Sequence, residues 1–125
     1  MTTADPVIAV VDDEASVRTM LGRVLRLADY AVAAFSSGDD FLASLARQVP
    51  ACVILDVHMP LLSGLDVHSQ LRAAHPDVPV IYITANDDPA LDKIVLDAQG
   101  LQLLRKPFPS ERLVSAVASA LKSAS

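Results

Sequence analysis

The chain has 125 residues, 52% of them hydrophobic, with a formal charge of −5 and only three lysines. That length fits one domain with a core of its own, and the apolar content excludes a disordered chain. The acidic balance argues against direct nucleic-acid binding, which needs a basic face, and no apolar run is long enough to span a bilayer.

The first apolar run, Val7-Ile8-Ala9-Val10-Val11, reads as a strand covered on both faces and leads into Asp12-Asp13-Glu14. Val17, Met20, Leu21, Val24 and Leu25 then repeat at the spacing of one helix face, with Arg18, Arg23 and Arg26 largely elsewhere. A second strand spans Ala31 to Phe35. Ser37, with Asp40 three residues on, caps a helix carrying Phe41, Leu42 and Leu45. A third strand, Ala51 to Leu55, leads into Asp56, and Ser63 caps a helix marked by Val67 and Leu71. The fourth strand, Val78 to Ile83, leads into Thr84. Asp88-Pro89 starts a helix through Leu91, Ile94, Val95 and Ala98, and Gly100 stops it. The fifth strand, Leu101 to Leu104, leads into Arg105-Lys106-Pro107. Pro109-Ser110-Glu111 opens a last helix through Leu113, Val114, Val117 and Leu121.

The alternation is (βα)5, and right-handed crossovers turn it into an open, doubly wound parallel sheet of the α/β class. The strand order expected for five strands is 2-1-3-4-5, flavodoxin-like. The last helix runs almost to Ser125, so residues 1–125 are expected to form one domain with its core at about 6–122. Met1 to Pro6 lack the basic and apolar stretches of a secretion signal. Cys52, the one cysteine, lies among Ala51, Val53 and Ile54 and reads as a buried small hydrophobe. These features favour the cytoplasm.

In open α/β sheets, ligands bind beyond the carboxyl ends of the strands, where the strand order reverses. Order 2-1-3-4-5 sets the first and third strands side by side, about 4.8 Å apart, so Asp12, Asp13 and Asp56 converge. Each pair of carboxylates costs about 4 kcal/mol at ~4 Å and an effective dielectric near 20, unless a cation sits among them or their pKa values rise. Mg²⁺ suits such a hard-oxygen set, and no His-Cys cluster offers a transition-metal alternative. Thr84 lies one strand from Asp56. Lys106 starts two strands away, and its stem spans most of that gap. Asp56 thus reads as a nucleophilic carboxylate between a cation and an ammonium, a clamp suited to phosphoryl transfer. Asp12 and Asp13 are expected on the metal side, farther from Lys106.

Four fragments carry a resemblance: Val10-Val11-Asp12-Asp13-Glu14; Leu55-Asp56-Val57-His58-Met59-Pro60 with Ser63-Gly64; Ile83-Thr84-Ala85; and Lys106-Pro107-Phe108. In this order, each at a strand end, they make the chain resemble the receiver domain of two-component response regulators over nearly its whole length. The resemblance implies phosphorylation of Asp56 by a sensor histidine kinase or a phosphotransfer protein. It implies Mg²⁺ held by Asp13, Asp56 and the His58 backbone carbonyl, with Asp12 acting through water. It further implies Thr84 and Lys106 as sensors of the phosphoryl group and a cis Lys106-Pro107 peptide. Also implied are an output domain or downstream protein and a homodimer through the fourth helix, fifth strand and fifth helix. On this reading the chain is no enzyme beyond Mg²⁺-dependent self-phosphorylation from a phosphodonor and slow self-dephosphorylation. It contacts neither nucleic acid nor membrane.

Other readings stand beside this one. An acidic pair after a strand, taken alone, is often a helix cap, and Thr84 alone is an ordinary β-branched strand residue. A haloacid-dehalogenase-type phosphotransferase needs a second acid two residues after the nucleophile, where His58 stands. A flavin carrier wants a phosphate-binding loop where Asp12-Asp13-Glu14 repels phosphate. A phosphate-independent interaction module is kept in play by Leu103, which occupies a position where many receivers carry Tyr or Phe as a switch. The glycine of Ala98-Gln99-Gly100 is also one place from its usual position. His58 is expected at the site mouth, tuning access of the attacking water, whereas His68 and His75 read as exposed helix residues.

Overall fold

The computed structural model describes residues 6–124. Met1 to Asp5, most of the stretch read for a secretion signal, and Ser125 lie outside the described residues. The chain alternates without exception: β1 (Val7–Val11), α1 (Ala15–Leu27), β2 (Ala31–Phe35), α2 (Gly38–Ser44), β3 (Cys52–Asp56), α3 (Gly64–Ala74), β4 (Val80–Thr84), α4 (Ala90–Asp97), β5 (Gln102–Arg105) and α5 (Ser110–Ala124). The strands form one parallel sheet in the order β2-β1-β3-β4-β5. The expected topology is therefore observed.

Side chains of a strand alternate between faces, so each apolar run feeds two cores. Ile8, Val10, Ile54, Ile81, Ile83 and Leu104 pack with Leu21 and Leu25 of α1 and Leu113 and Val117 of α5. Ala9, Val11, Val53, Leu55, Val80 and Tyr82 pack with Phe41 of α2, Val67 and Leu71 of α3, and Leu91 and Val95 of α4. β1, β3 and β4 are buried almost throughout, whereas β2, at the edge, is only half-buried. Among the described residues no helix is long and apolar enough to cross a membrane.

The expected caps form: Ser37 Oγ accepts from the Asp40 N–H at 3.1 Å and Ser63 Oγ from the Asp66 N–H at 3.2 Å. Three strands begin one or two residues later than their apolar runs, at Cys52, Val80 and Gln102. Pro79 is part of the reason, since it has no N–H to give to the ladder and offers only its carbonyl, to the Val53 N–H.

Helix α4 ends just before Gly100, as expected, and its turn has a division of labour. Gln99, not Gly100, takes the left-handed conformation (φ 65°). Gly100 is needed for closeness instead: a Cβ there would lie 2.7 Å from the Tyr82 ring and from Val95 Cγ1. The two helix histidines also depart from their reading. His68 is buried, its Nδ1 hydrogen-bonded to the Tyr82 hydroxyl at 2.6 Å, because α3 turns that face onto β4. His75 is half-buried at the C-cap of α3. Burial holds His68 neutral, its pKa pushed down to about 4, with the Arg72 charge adding to the effect.

Candidate phosphoacceptor and metal site

β1 and β3 are adjacent, with Val11 opposite Leu55 in register, so the residues that follow them open into one mouth. Asp12 and Asp56 are buried and Asp13 is exposed. Each offers an oxygen within 4.8 Å of the others'. Three hard carboxylate oxygens at that spacing can hold a metal ion, and the site tests that fit through its own strain. Burial first, then the charge of Asp12, pushes the Asp56 carboxyl up to about 6, against the opposing pull of Lys106 and the His58 N–H. A small divalent cation relieves both the desolvation and the repulsion.

Asp12 is fixed at every polar atom. Its N–H donates to the Phe35 carbonyl at 3.2 Å and its carbonyl accepts from Arg18 Nη1 at 2.7 Å. Its Oδ1 accepts from the Glu14 N–H at 2.9 Å and its Oδ2 from Lys106 Nζ at 3.1 Å. Asp56 is held more loosely: Oδ1 accepts from the His58 N–H at 3.2 Å, and Oδ2 faces Lys106 Nζ at 3.9 Å. The expectation that Asp12 lies farther from Lys106 than Asp56 does is therefore corrected. The side chain of Asp12 is wholly buried (0% exposed, against 7% for Asp56), and a fully desolvated carboxylate takes the nearest ammonium most strongly. Asp13 carries no such contact and stays on the open side.

Thr84 is buried at the end of β4, one strand from Asp56, its Oγ1 accepting from the Asn86 N–H at 3.0 Å. Lys106 follows β5, its N–H donating to the Thr84 carbonyl at 2.7 Å, and the Lys106-Pro107 peptide is cis as the resemblance implied. A cleft of about 410 Å³ is lined by Asp13, Glu14, Asp56, His58, Ala85, Asn86 and Lys106. His58 stands exposed in its wall. Gly64 closes the floor: a Cβ there would overlap the Asp56 carbonyl oxygen, so only glycine lets α3 start against the end of β3.

The structure thus brings together Asp12, Asp13, Asp56, Thr84, Lys106 and the His58 backbone. Sequence reasoning missed Arg18, which reaches back from the first turn of α1 to the Asp12 carbonyl; its place six residues after Asp12 was the available signal. It also missed Leu61, fully exposed with φ 70° in the loop after β3, for which composition gave no signal.

Comparisons with known proteins agree with this geometry. The family model of the response regulator receiver domain matches residues 8–118. The chain is 36% identical to the response regulator protein TodT of Pseudomonas putida over 116 residues, 93% of this chain and 51% of that protein. It is 37% identical to the response regulator MprA of Mycobacterium leprae over 115 residues, 92% of this chain and 50% of that one. The chain therefore spans about half the length of the curated relatives it matches. A crystal structure of a response regulator receiver protein from Burkholderia phymatum is 41% identical, with TM-score 0.85, covering 94% of this chain and 95% of that one. The chemotaxis protein CheY4 of Vibrio cholerae is 26% identical, with TM-score 0.87, covering 94% and 100%. This chain belongs to the receiver-domain family of response regulators.

Proposed function

We propose that residues 1–125 are a single receiver domain, core about 6–122, acting as a phosphorylation-controlled switch in the cytoplasm. A sensor histidine kinase or a phosphotransfer protein donates the phosphoryl group to Asp56. The observation that carries this reading is the pairing, in one mouth, of an acidic trio with the single Lys106 amine.

Asp56 Oδ2 is the attacking oxygen on this reading, since Oδ1 already accepts the His58 N–H and Oδ2 lies open toward Lys106. It bonds to phosphorus as the phosphorus–nitrogen bond of a phosphohistidine breaks, and the bond's electron pair leaves with the imidazole, which takes a proton. Asp13, Asp56 and the His58 carbonyl would hold Mg²⁺, with Asp12 acting through water, and the ion would supply Lewis-acid neutralisation of the phosphoryl oxygens. Lys106 moves its charge from Asp12 to the arriving anion, and the Thr84 hydroxyl donates to a phosphoryl oxygen. Beyond this transfer and slow self-dephosphorylation the domain has no enzymatic role. Its partners are the phosphodonor and an output domain or downstream protein, with a homodimer through the α4–β5–α5 face and no direct contact with nucleic acid or membrane.

Incubation with acetyl phosphate and Mg²⁺, followed by intact mass, tests the acceptor. The wild-type chain gains one phosphoryl group and Asp56→Asn does not; an equally abundant adduct on the variant would refute the assignment. A second reading, a phosphate-independent interaction module, draws on Leu103 at the position of the switch aromatic. It predicts partner binding that the adduct does not change.

A further inference from the structure

Thr84 does not end its strand alone. Its Oγ1 accepts from the Asn86 N–H at 3.0 Å, Asn86 Oδ1 accepts from the Asp88 N–H at 2.8 Å, and Asp88 Oδ1 accepts from the Ala90 N–H at 2.9 Å. Each step hands a side-chain oxygen to the backbone donor two residues on. The three together make one ladder from the buried hydroxyl to the first turn of α4. At its far end stands Arg105. Nη2 donates to the Asp88 carbonyl at 2.9 Å, and Nη1 and Nη2 hold the two oxygens of Asp92 at 3.2 Å each. A planar guanidinium that grips a carboxylate with two bonds fixes direction as well as distance. Thr84 and Arg105 are themselves register partners across β4 and β5, so the ladder leaves the sheet at one residue and is tied back to it at its partner.

Packing leaves α4 in need of such a tie. The helix has eight residues, of which only Leu91 and Val95 are buried, while Ile94 and Leu96 are exposed. Leu103, on the neighbouring strand, has no polar group to join the ladder. The Arg105 Nε is buried with no hydrogen-bond partner among the described residues, so the grip on α4 is incomplete.

We infer that Arg105 is a positioning residue for Thr84. Through Asp88 and Asp92 it sets the resting place of the β4–α4 segment, and the ladder carries any displacement of the Thr84 hydroxyl into α4. The inference rests on the phosphorylation reading above. When the hydroxyl is drawn to a phosphoryl oxygen, Asn86, Asp88 and the start of α4 move with it, and the Arg105–Asp92 grip is what resists. This gives the chain a route out of its site that does not use an aromatic at position 103.

The test uses the whole chain, ¹⁵N-labelled, as wild type, Arg105→Gln, Arg105→Lys and Asp92→Asn, with acetyl phosphate and Mg²⁺ as the phosphodonor mix. Intact mass gives the initial rate of adduct formation, and amide shifts of residues 84–97 are recorded before and after. In Arg105→Gln and Asp92→Asn the unphosphorylated shifts are expected to move along the line toward the phosphorylated wild-type positions, and the rate to rise about threefold. Arg105→Lys, which keeps the charge and loses the fork, is expected to fall between. Wild-type positions and rate in all three variants overturn the inference. So do shifts that scatter off that line, which is what a purely structural role gives. No adduct on the wild-type chain overturns the phosphorylation reading and this inference with it, whereas an adduct with an unmoved α4 overturns this inference alone.

Discussion

The mouth above β1 and β3 and the corner where α4 meets β5 are built on opposite terms. At the mouth, Asp12 is satisfied at all four polar atoms and wholly buried, and Gly64 seals the floor against the end of β3. At the corner, a short helix is held by two buried side chains and a partly exposed ion pair. Chemistry that needs fixed charges sits where the sheet is most constrained. Movement has to come from the part that packing constrains least.

The largest expected effect separates the two regions outright: Asp56→Asn abolishes the acetyl-phosphate adduct, whereas changes at the corner leave it intact, as intact mass reads directly. Next comes the floor. Gly64→Ala forces a Cβ against the Asp56 carbonyl and is expected to lower stability by about 3 kcal/mol in chemical denaturation. A loss under ~0.5 kcal/mol would mean that the start of α3 is free to yield.

Two titrations sharpen the contrast through pH. The Asp56 carboxyl sits at about 6 in the folded chain, against an ordinary value of 3.8, so between those values the folded state binds more protons than the unfolded. Its contribution to stability therefore falls as pH rises through that window. Without added cation, Asp56→Asn is expected to be about 2 kcal/mol more stable than wild type at pH 7, with the gain vanishing near pH 4. His68 has the opposite sign. With its pKa down at about 4 from 6.5, the unfolded chain takes up the proton first, and stability is lost as pH falls from 6.5 to 4. His68→Gln keeps a partner for the Tyr82 hydroxyl and removes the titration. Denaturation across that range should show an acid loss smaller than wild type's by about 2 kcal/mol. The smallest effect belongs to Leu103, which stands outside the Arg105 tie. Leu103→Tyr is expected to change stability by less than about 1 kcal/mol and leave the rate of adduct formation unaltered, so a large change in that rate would show that position 103 is coupled to the mouth.

Most of the frame was legible because its signals are local. Continuous apolar runs marked the strands, Ser37 and Ser63 marked two helix starts, and the strand order was that of the flavodoxin-like pattern for five alternating strands. The acidic trio was legible because Asp12, Asp13 and Asp56 each follow such a run, and the sheet order then forces them together. What sequence did not give depends on side chains choosing among partners in space. Lys106 was expected to favour Asp56, but distance along strands says nothing about which carboxylate is more desolvated, and Asp12 is. His68 looked exposed because a polar residue on a helix ordinarily faces water. Its burial follows from Tyr82, fourteen residues away, presenting a hydroxyl where α3 crosses β4. Gly100 was read as the stop of the fourth helix; that the Tyr82 ring leaves no room for a side chain there, and that Gln99 takes the left-handed turn, depends on packing across the layer.

That same Tyr82 ring makes the chain optically useful. With no tryptophan and two tyrosines, near-ultraviolet absorbance comes from few groups. Burial pushes the Tyr82 phenol well above its ordinary value of 10, so it stays un-ionised through the mild alkaline range for as long as the layer between α3 and β4 remains shut. Phenolate absorbance arising from this ring is therefore a label-free signal that the layer has opened.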